Sequence, residues 1–249
     1  GTRAKSAAMV RELFVKAQDY QQKIIAAGDD ASKLPARDLQ METLVQALDG
    51  KRTIHHHTHR HDDVLTAIRL AEEFGYDMVL QHVSEAYKVA DEIASSGYPA
   101  SIISLDSFGG KVEAKDFSNT NGAALEKAGA LVGIHPDDYV TDSRLFLRSA
   151  AFAVREGMSR ERALEAITLS NAKIMRLENR IGSLKKGKDA DLVILSGDPF
   201  SVYTQVLETW IEGVKVWDRS NPEDKVVATG GYGVFRLNTH THTHEGGSQ

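Results

Sequence analysis

The chain has no cysteine among its 249 residues. That excludes a disulfide framework, a thiolate metal site and a cysteine nucleophile, while leaving the compartment open. No run of 18 apolar residues occurs, so no segment qualifies as a membrane-spanning helix. There is no excess of positive charge. Lys and Arg total 30 against 35 Asp and Glu, a net charge of −5. This argues against nucleic-acid or anionic-membrane partners, which call for a basic face. A signal-peptide apolar core is also missing, and position 1 is Gly rather than Met. The expectation is therefore a processed N-terminus or one piece of a longer coding sequence. The balance of 41% hydrophobic and 26% charged residues is that of a soluble globular protein. A cytoplasmic location is weakly favoured.

Apolar residues Ala8, Val10, Leu13, Phe14, Ala17 and Ile24 recur at spacings of three and four, predicting an amphipathic helix over 4–27. A second helix is expected over 37–48. After Gly50 the rhythm becomes short apolar runs alternating with helices. Strands are predicted at 53–57, 77–81, 99–105 and 130–134, with helices at 62–74, 84–94, 123–128 and 142–156. Such alternation means βαβ units and a parallel sheet. Four units make half of a (β/α)₈ barrel. A helix over 160–177 leads into short β runs at 188–195, 206–211 and 214–217, punctuated by Gly187, Gly197 and Gly213. The expected organisation is a half barrel over 1–178, a partial β-sandwich over 179–238 and a disordered His-rich tail over 239–249.

In parallel α/β proteins the active groups lie at the carboxyl ends of strands. Three of the four strands end in metal-ligand residue types. The first carries His55, His56, His57, His59 and His61, followed by Asp62 and Asp63. The second ends in Gln81-His82, and the fourth in His135-Pro136-Asp137-Asp138. Imidazole nitrogen with carboxylate oxygen suits Zn, and also Fe or Mn. Each signal alone has a plainer reading: a solvated histidine loop, a core histidine, a helix N-cap pair. Their common position at one end of consecutive βα units sets them apart.

From Ile54 to Gly75, the run His57-Thr58-His59-Arg60-His61-Asp62-Asp63 followed by Ala67-Ile68-Arg69-Leu70-Ala71 resembles the fifth βα unit of the metal-dependent amidohydrolase superfamily. The nearest branch is the imidazolonepropionase-like amidohydrolases. Val79-Leu80-Gln81-His82 with Glu85-Ala86 resembles the sixth unit, and Asp137 to Thr141 the end of the eighth strand. The most specific match is Ile181-Gly182-Ser183-Leu184, then Gly187-Lys188-Asp189-Ala190-Asp191-Leu192-Val193 and Gly197-Asp198-Pro199, with Ile211-Glu212-Gly213 beyond.

The resemblance implies an α/β fold, the C-terminal half of a TIM-like barrel with part of a small β-sandwich. It implies hydrolysis of a C–N bond in an amide, cyclic amide or dipeptide. His57, His82 and Asp137 would be metal ligands, and Asp137 and His82 catalytic. His59 and Arg60 would face substrate or support the ligands. The cofactor would be one or two divalent ions, Zn first. The sequence departs from the family pattern at Pro136, where Thr is usual. The first-strand His-x-His pair, the carboxylated lysine and the first four βα units have no counterpart. The expected partner is therefore the N-terminal half of the barrel, as a separate or processed chain. Two other readings stand beside this one. One is a non-catalytic structural subunit of such an assembly. The other is a His-rich metal-binding protein, suggested by His55–His61 and by His240, His242 and His244.

Overall fold

The computed structural model describes residues 2–104, 111–138 and 140–229. The tail expected over 239–249, with its three histidines, lies outside them. The chain divides into two compact units between Glu178 and Asn179.

The first unit opens with helix α1 (Arg3–Ala27) and helix α2 (Leu39–Leu48). The Thr2 hydroxyl accepts the Lys5 N–H at 3.2 Å, and the Asp38 carboxylate accepts from Gln40 and Met41. Both satisfy donors that a helix start leaves without partners. Then come β1 (Ile54–Thr58), α3 (His61–Phe74), β2 (Met78–His82), α4 (Ala90–Ser96), β3 (Ala100–Ile102), α5 (Asn121–Ala128) and β4 (Val132–Ile134). Helix α3 starts with Asp62 and Asp63, favourable at the positive end of its dipole. It buries Val64, Ala67, Ile68, Leu70 and Ala71 on one face and stops at Gly75, whose φ of 71° is left-handed. The unit closes with α6 (Phe146–Arg155), α7 (Arg160–Ala166) and α8 (Leu169–Ile174).

The four strands form one parallel sheet in the order β1-β2-β3-β4. The register sets the level of the site. Thr58 pairs with His82, His82 with Ile102, and Ile102 with Ile134, so all four strands end in a single row. The strands are short and apolar where helices cover them, with Leu80, Ile102 and Ile134 at 0%, 1% and 0% exposure. Each such burial contributes about 1.5–3 kcal/mol relative to an exposed side chain. Helix α1 packs against α3 through Phe14, stacked on Phe74 and Tyr76 with ring centroids 5.0 and 4.7 Å apart. The flanking Arg3–Asp63 and Arg11–Glu73 pairs are surface ion pairs and add little.

The second unit holds β5 (Leu192–Leu195), β6 (Val206–Ile211), β7 (Val214–Asp218) and α9 (Pro222–Thr229). Its strands form one antiparallel sheet in sequence order. Glu212 and Gly213, with φ of 51° and 77°, make the tight turn between β6 and β7.

Three expected helices differ. The stretch expected as a helix over 84–94 is a 3₁₀ turn at Ala86–Lys88 followed by α4. The helix expected over 142–156 begins as a 3₁₀ turn capped by Asp142, and α6 starts only at Phe146. The helix expected over 160–177 breaks between α7 and α8, where Thr168 leaves helical geometry and its hydroxyl bonds back to the Leu164 carbonyl at 2.7 Å. Among the described residues the second unit contains one sheet and α9, with no opposing sheet to make a sandwich. Helix α9 was not expected, although Asn221 caps it, Pro222 opens it and Glu223 and Asp224 fill its first turn.

Candidate metal centre

Four histidine rings meet at the row of strand ends. The His57 ring lies 4.7 Å from His59 and 4.4 Å from His82; His82 lies 5.4 Å from His59 and 5.0 Å from His135. Strand geometry explains part of this. His55 and His57 are exposed on one side of β1, while His56 between them is half-buried on the other. Gln81 pairs with His57 and its amide bonds to the His55 ring at 2.7 Å, so Gln81 shares that side. Regular alternation would then turn His82 the other way, beside Leu80. His82 and Val83 instead adopt left-handed φ values of 71° and 37°, which re-aim the imidazole toward His57. Asp137, just past β4, has a φ of 51°. Non-glycine residues seldom occupy this region, and those that do cluster at functional sites.

The loops after β1 and β2 are knitted together. The Val83 N–H donates to the Thr58 carbonyl and the Glu85 N–H to the His59 carbonyl. Ser84 Oγ is 2.7 Å from His59 Nδ1, and the buried Asn121 amide donates to the Ser84 carbonyl while accepting the Tyr87 N–H. Glu85, 1% exposed, receives the His61 N–H, the His61 ring at 2.5 Å and Lys88 at 3.2 Å. Burial by itself would raise the Glu85 carboxyl, but these bonds hold it below the usual carboxylate range.

His59 Nε2 is buried and has no hydrogen-bond partner among the described residues. A buried nitrogen without a partner calls for an explanation. It lies 3.8 Å from Glu113 Oε1, and His57 Nε2 lies 3.9 Å from the same oxygen. One ligand atom from each of His57, His59 and Glu113 falls within 4.8 Å of the others. These are two imidazole nitrogens and a carboxylate oxygen, a donor set that fits a divalent transition metal. Glu113 follows the segment 105–110, and its sequence context carries no ligand-like spacing.

Of the residues expected at the site, His57, His59 and His82 converge. Asp137 is close to His82, with Oδ2 3.8 Å from Nδ1. His59, expected to face substrate or support the ligands, turns Nε2 toward the His57–Glu113 group. Arg60 stands just before α3, makes no side-chain capping bond to its first turn and commits its guanidinium to Asp62 at 2.9 and 3.2 Å. His61 sits in the first turn of α3, bonded to Glu85. Residues not anticipated are Glu113, Lys111, whose ammonium is 3.5 Å from His57 Nε2, and the supporting Ser84, Ser101 and Asn121; His135, noted at the end of the fourth strand without a role, joins them. A cleft of about 720 Å³ opens beside His57, His59 and Glu113.

Burial, with the neighbouring His135 and His57 rings, pushes His82 down to about 4. Burial likewise lowers His59, helped by His57 and Lys111, and lowers His56 and His135. Near neutrality these imidazoles are uncharged, the form that can ligate a cation.

The sequence profile described as the amidohydrolase family matches residues 7–217. The chain belongs to that family. It is similar to the amidohydrolase tasK of Hapsidospora irregularis, 26% identical over 198 residues, covering 78% of this chain and 20% of that protein. The crystal structure of an amidohydrolase from Thermotoga maritima MSB8 superposes with a TM-score of 0.83 at 39% identity, over 88% of this chain and 57% of that one. An adenosine deaminase from Xanthomonas campestris, crystallised with bound zinc, matches at TM-score 0.53 and 20% identity, over 81% of this chain and 55% of that one, which speaks to the fold alone. This amidohydrolase-family chain thus spans little more than half the length of the Thermotoga protein. Membership supports a hydrolase, and the family is generally dependent on divalent metals.

Proposed function

We propose that the chain carries metal-binding and proton-transfer groups of a hydrolase acting on C–N bonds, in an amide, cyclic amide or dipeptide. The observation that carries this reading is the convergence of His57, His59, His82, Glu113 and Asp137 at the carboxyl ends of a parallel sheet. His57 and His82 would hold one or two divalent ions, Zn first, with Asp137, His59 and Glu113 completing the donor set. Such an ion supplies a water acidified to a pKa of about 7 and a polarised carbonyl. The Asp137 carboxylate accepts the proton of the attacking water and delivers it to the leaving nitrogen. Ser84 and Asn121 fix the orientation of His59. Glu85 fixes the His61 backbone and with it the start of α3.

The rest of the barrel would come from a partner segment. In favour of this, β1 and β4 each have one edge without a strand neighbour among the described residues, and this chain covers 57% of the Thermotoga amidohydrolase. The substrate would be a small amide or peptide. The net charge of −5 argues against nucleic acid. No helix among the described residues is long and apolar enough to cross a membrane.

The test is metal content by mass spectrometry, with assay of a dipeptide and cyclic-amide panel on the chain reassembled with the barrel-completing segment. The expected result is one or two ions per chain, removed together with activity by a chelator. His57→Ala should lose both, whereas His61→Ala should stay within a few-fold. Equal losses from the two would point to a diffuse histidine site and overturn the reading.

A further inference from the structure

We propose that His135 is a positioning residue which, with Ser101, sets the nitrogen that His82 presents to the site. The proposal rests on the reading of His82 as a site residue. The geometry is a chain of three groups. Ser101 Oγ is 2.8 Å from His135 Nδ1, and His135 Nε2 is 3.1 Å from His82 Nδ1. The His135 backbone N–H donates to the Ile102 carbonyl at 2.9 Å, so the ring hangs from the sheet.

A hydrogen bond between two imidazole nitrogens holds one proton, so two arrangements exist. In the first, His82 Nδ1–H donates to His135 Nε2, His135 Nδ1–H donates to Ser101 Oγ, and His82 Nε2 keeps a free lone pair. In the second, the Ser101 hydroxyl donates to His135 Nδ1, His135 Nε2–H donates to His82 Nδ1, and His82 Nε2 carries a hydrogen. The two contain the same number of protons, and none is gained or lost in passing between them. A carboxylate or carbonyl beyond His135 would only accept and would lock the first arrangement. A hydroxyl donates and accepts, so Ser101 permits both. A cation at His82 Nε2 selects the first, and a carbonyl or anionic oxygen there selects the second. The relay thus gives one histidine two uses, ligand and hydrogen-bond donor.

The experiment is side-chain ¹⁵N NMR of histidine in the metal-free 249-residue chain, beside titration with Zn²⁺ alone. In His135→Phe the two ring-nitrogen shifts of His82 should move toward those of an unrestrained imidazole, and Zn²⁺ affinity should fall roughly 10- to 100-fold. His135→Gln, whose amide can stand in for Nε2, should restore both to within a few-fold. Ser101→Ala does not touch His82, yet should shift its ¹⁵N pair through His135. If the phenyl variant fails to fold, the glutamine and alanine variants carry the test. Unchanged His82 shifts in a folded His135 or Ser101 variant overturn the relay. The ligand reading fails separately, if His82→Gln binds Zn²⁺ as tightly as the unmodified chain.

Discussion

At the scale of single residues, burial keeps His59, His82 and His135 neutral beside carboxylates that stay reachable. Asp137 has 43% of its side chain exposed while His82 has 11%. That division suits a proton acceptor open to water beside a ring held for a cation. Asp137→Asn keeps the shape and removes the base. It should lower kcat by on the order of 10² to 10⁴ while KM moves little, as measured in steady-state kinetics of the metal-loaded enzyme. The histidines also tie stability to acidity. A ring whose folded pKa lies below its unfolded value binds fewer protons when folded, so stability rises with pH between the two values. For His82 that window runs from about 4 up to the ordinary 6.5. Urea melts of the metal-free chain should weaken steadily as pH falls from 6.5 to 4, and His82→Gln should flatten that slope. A slope unchanged by the substitution would show that His82 is not buried as described.

At the scale of elements, short strands place the site because the helices behind them fit without slack. Gly133, in the middle of β4, is the tightest point. A Cβ there would run into Asn171 Oδ1 and lie 2.7 Å from Ile174 Cδ1, both on α8. The same Asn171 amide donates to the Ile134 carbonyl at 2.8 Å. Gly133→Ala therefore forces α8 off β4 and should cost about 1–3 kcal/mol in denaturant unfolding. Because His135 and Asp137 follow directly, the same change should lower Zn²⁺ affinity. Full stability in this variant would mean that α8 is not seated as described.

At the scale of the whole molecule, a four-stranded parallel sheet whose two outer edges have no strand neighbour among the described residues is the feature to explain. Open edges are templates for further pairing, and closed barrels remove them. The expected outcome is that the 27.3 kDa chain associates, with itself or with a barrel-completing segment, in light scattering at micromolar concentration. In a preparation forced to be monomeric, amides of β1 and β4 should exchange faster than those of β2 and β3. Equal protection across all four strands would count against open edges.

Much of this was readable from residue order. The 3.6-residue rhythm of Val64, Ala67, Ile68 and Ala71, ended by Gly75, is local physics, and so are the apolar run Met78–Leu80 and the order of the βα units. The capping signals of α9 were equally local, though the β texture around them hid the helix. The strand-end positions of His57, His82 and Asp137 followed from the same pattern. Three things only the tertiary structure decided. Glu113 joins His57 and His59 across more than 50 positions of chain, a distance that no spacing rule encodes. His82 faces His57 because its backbone leaves the β region, whereas period-two alternation would have turned it away. His59 presents an Nε2 without a partner among the described residues because Ser84, its carbonyl held by Asn121 of α5, fixes its other nitrogen. Sequence patterns report what each segment does with its neighbours along the chain. The site is made by strand register and left-handed turns, which exist only once the sheet has formed.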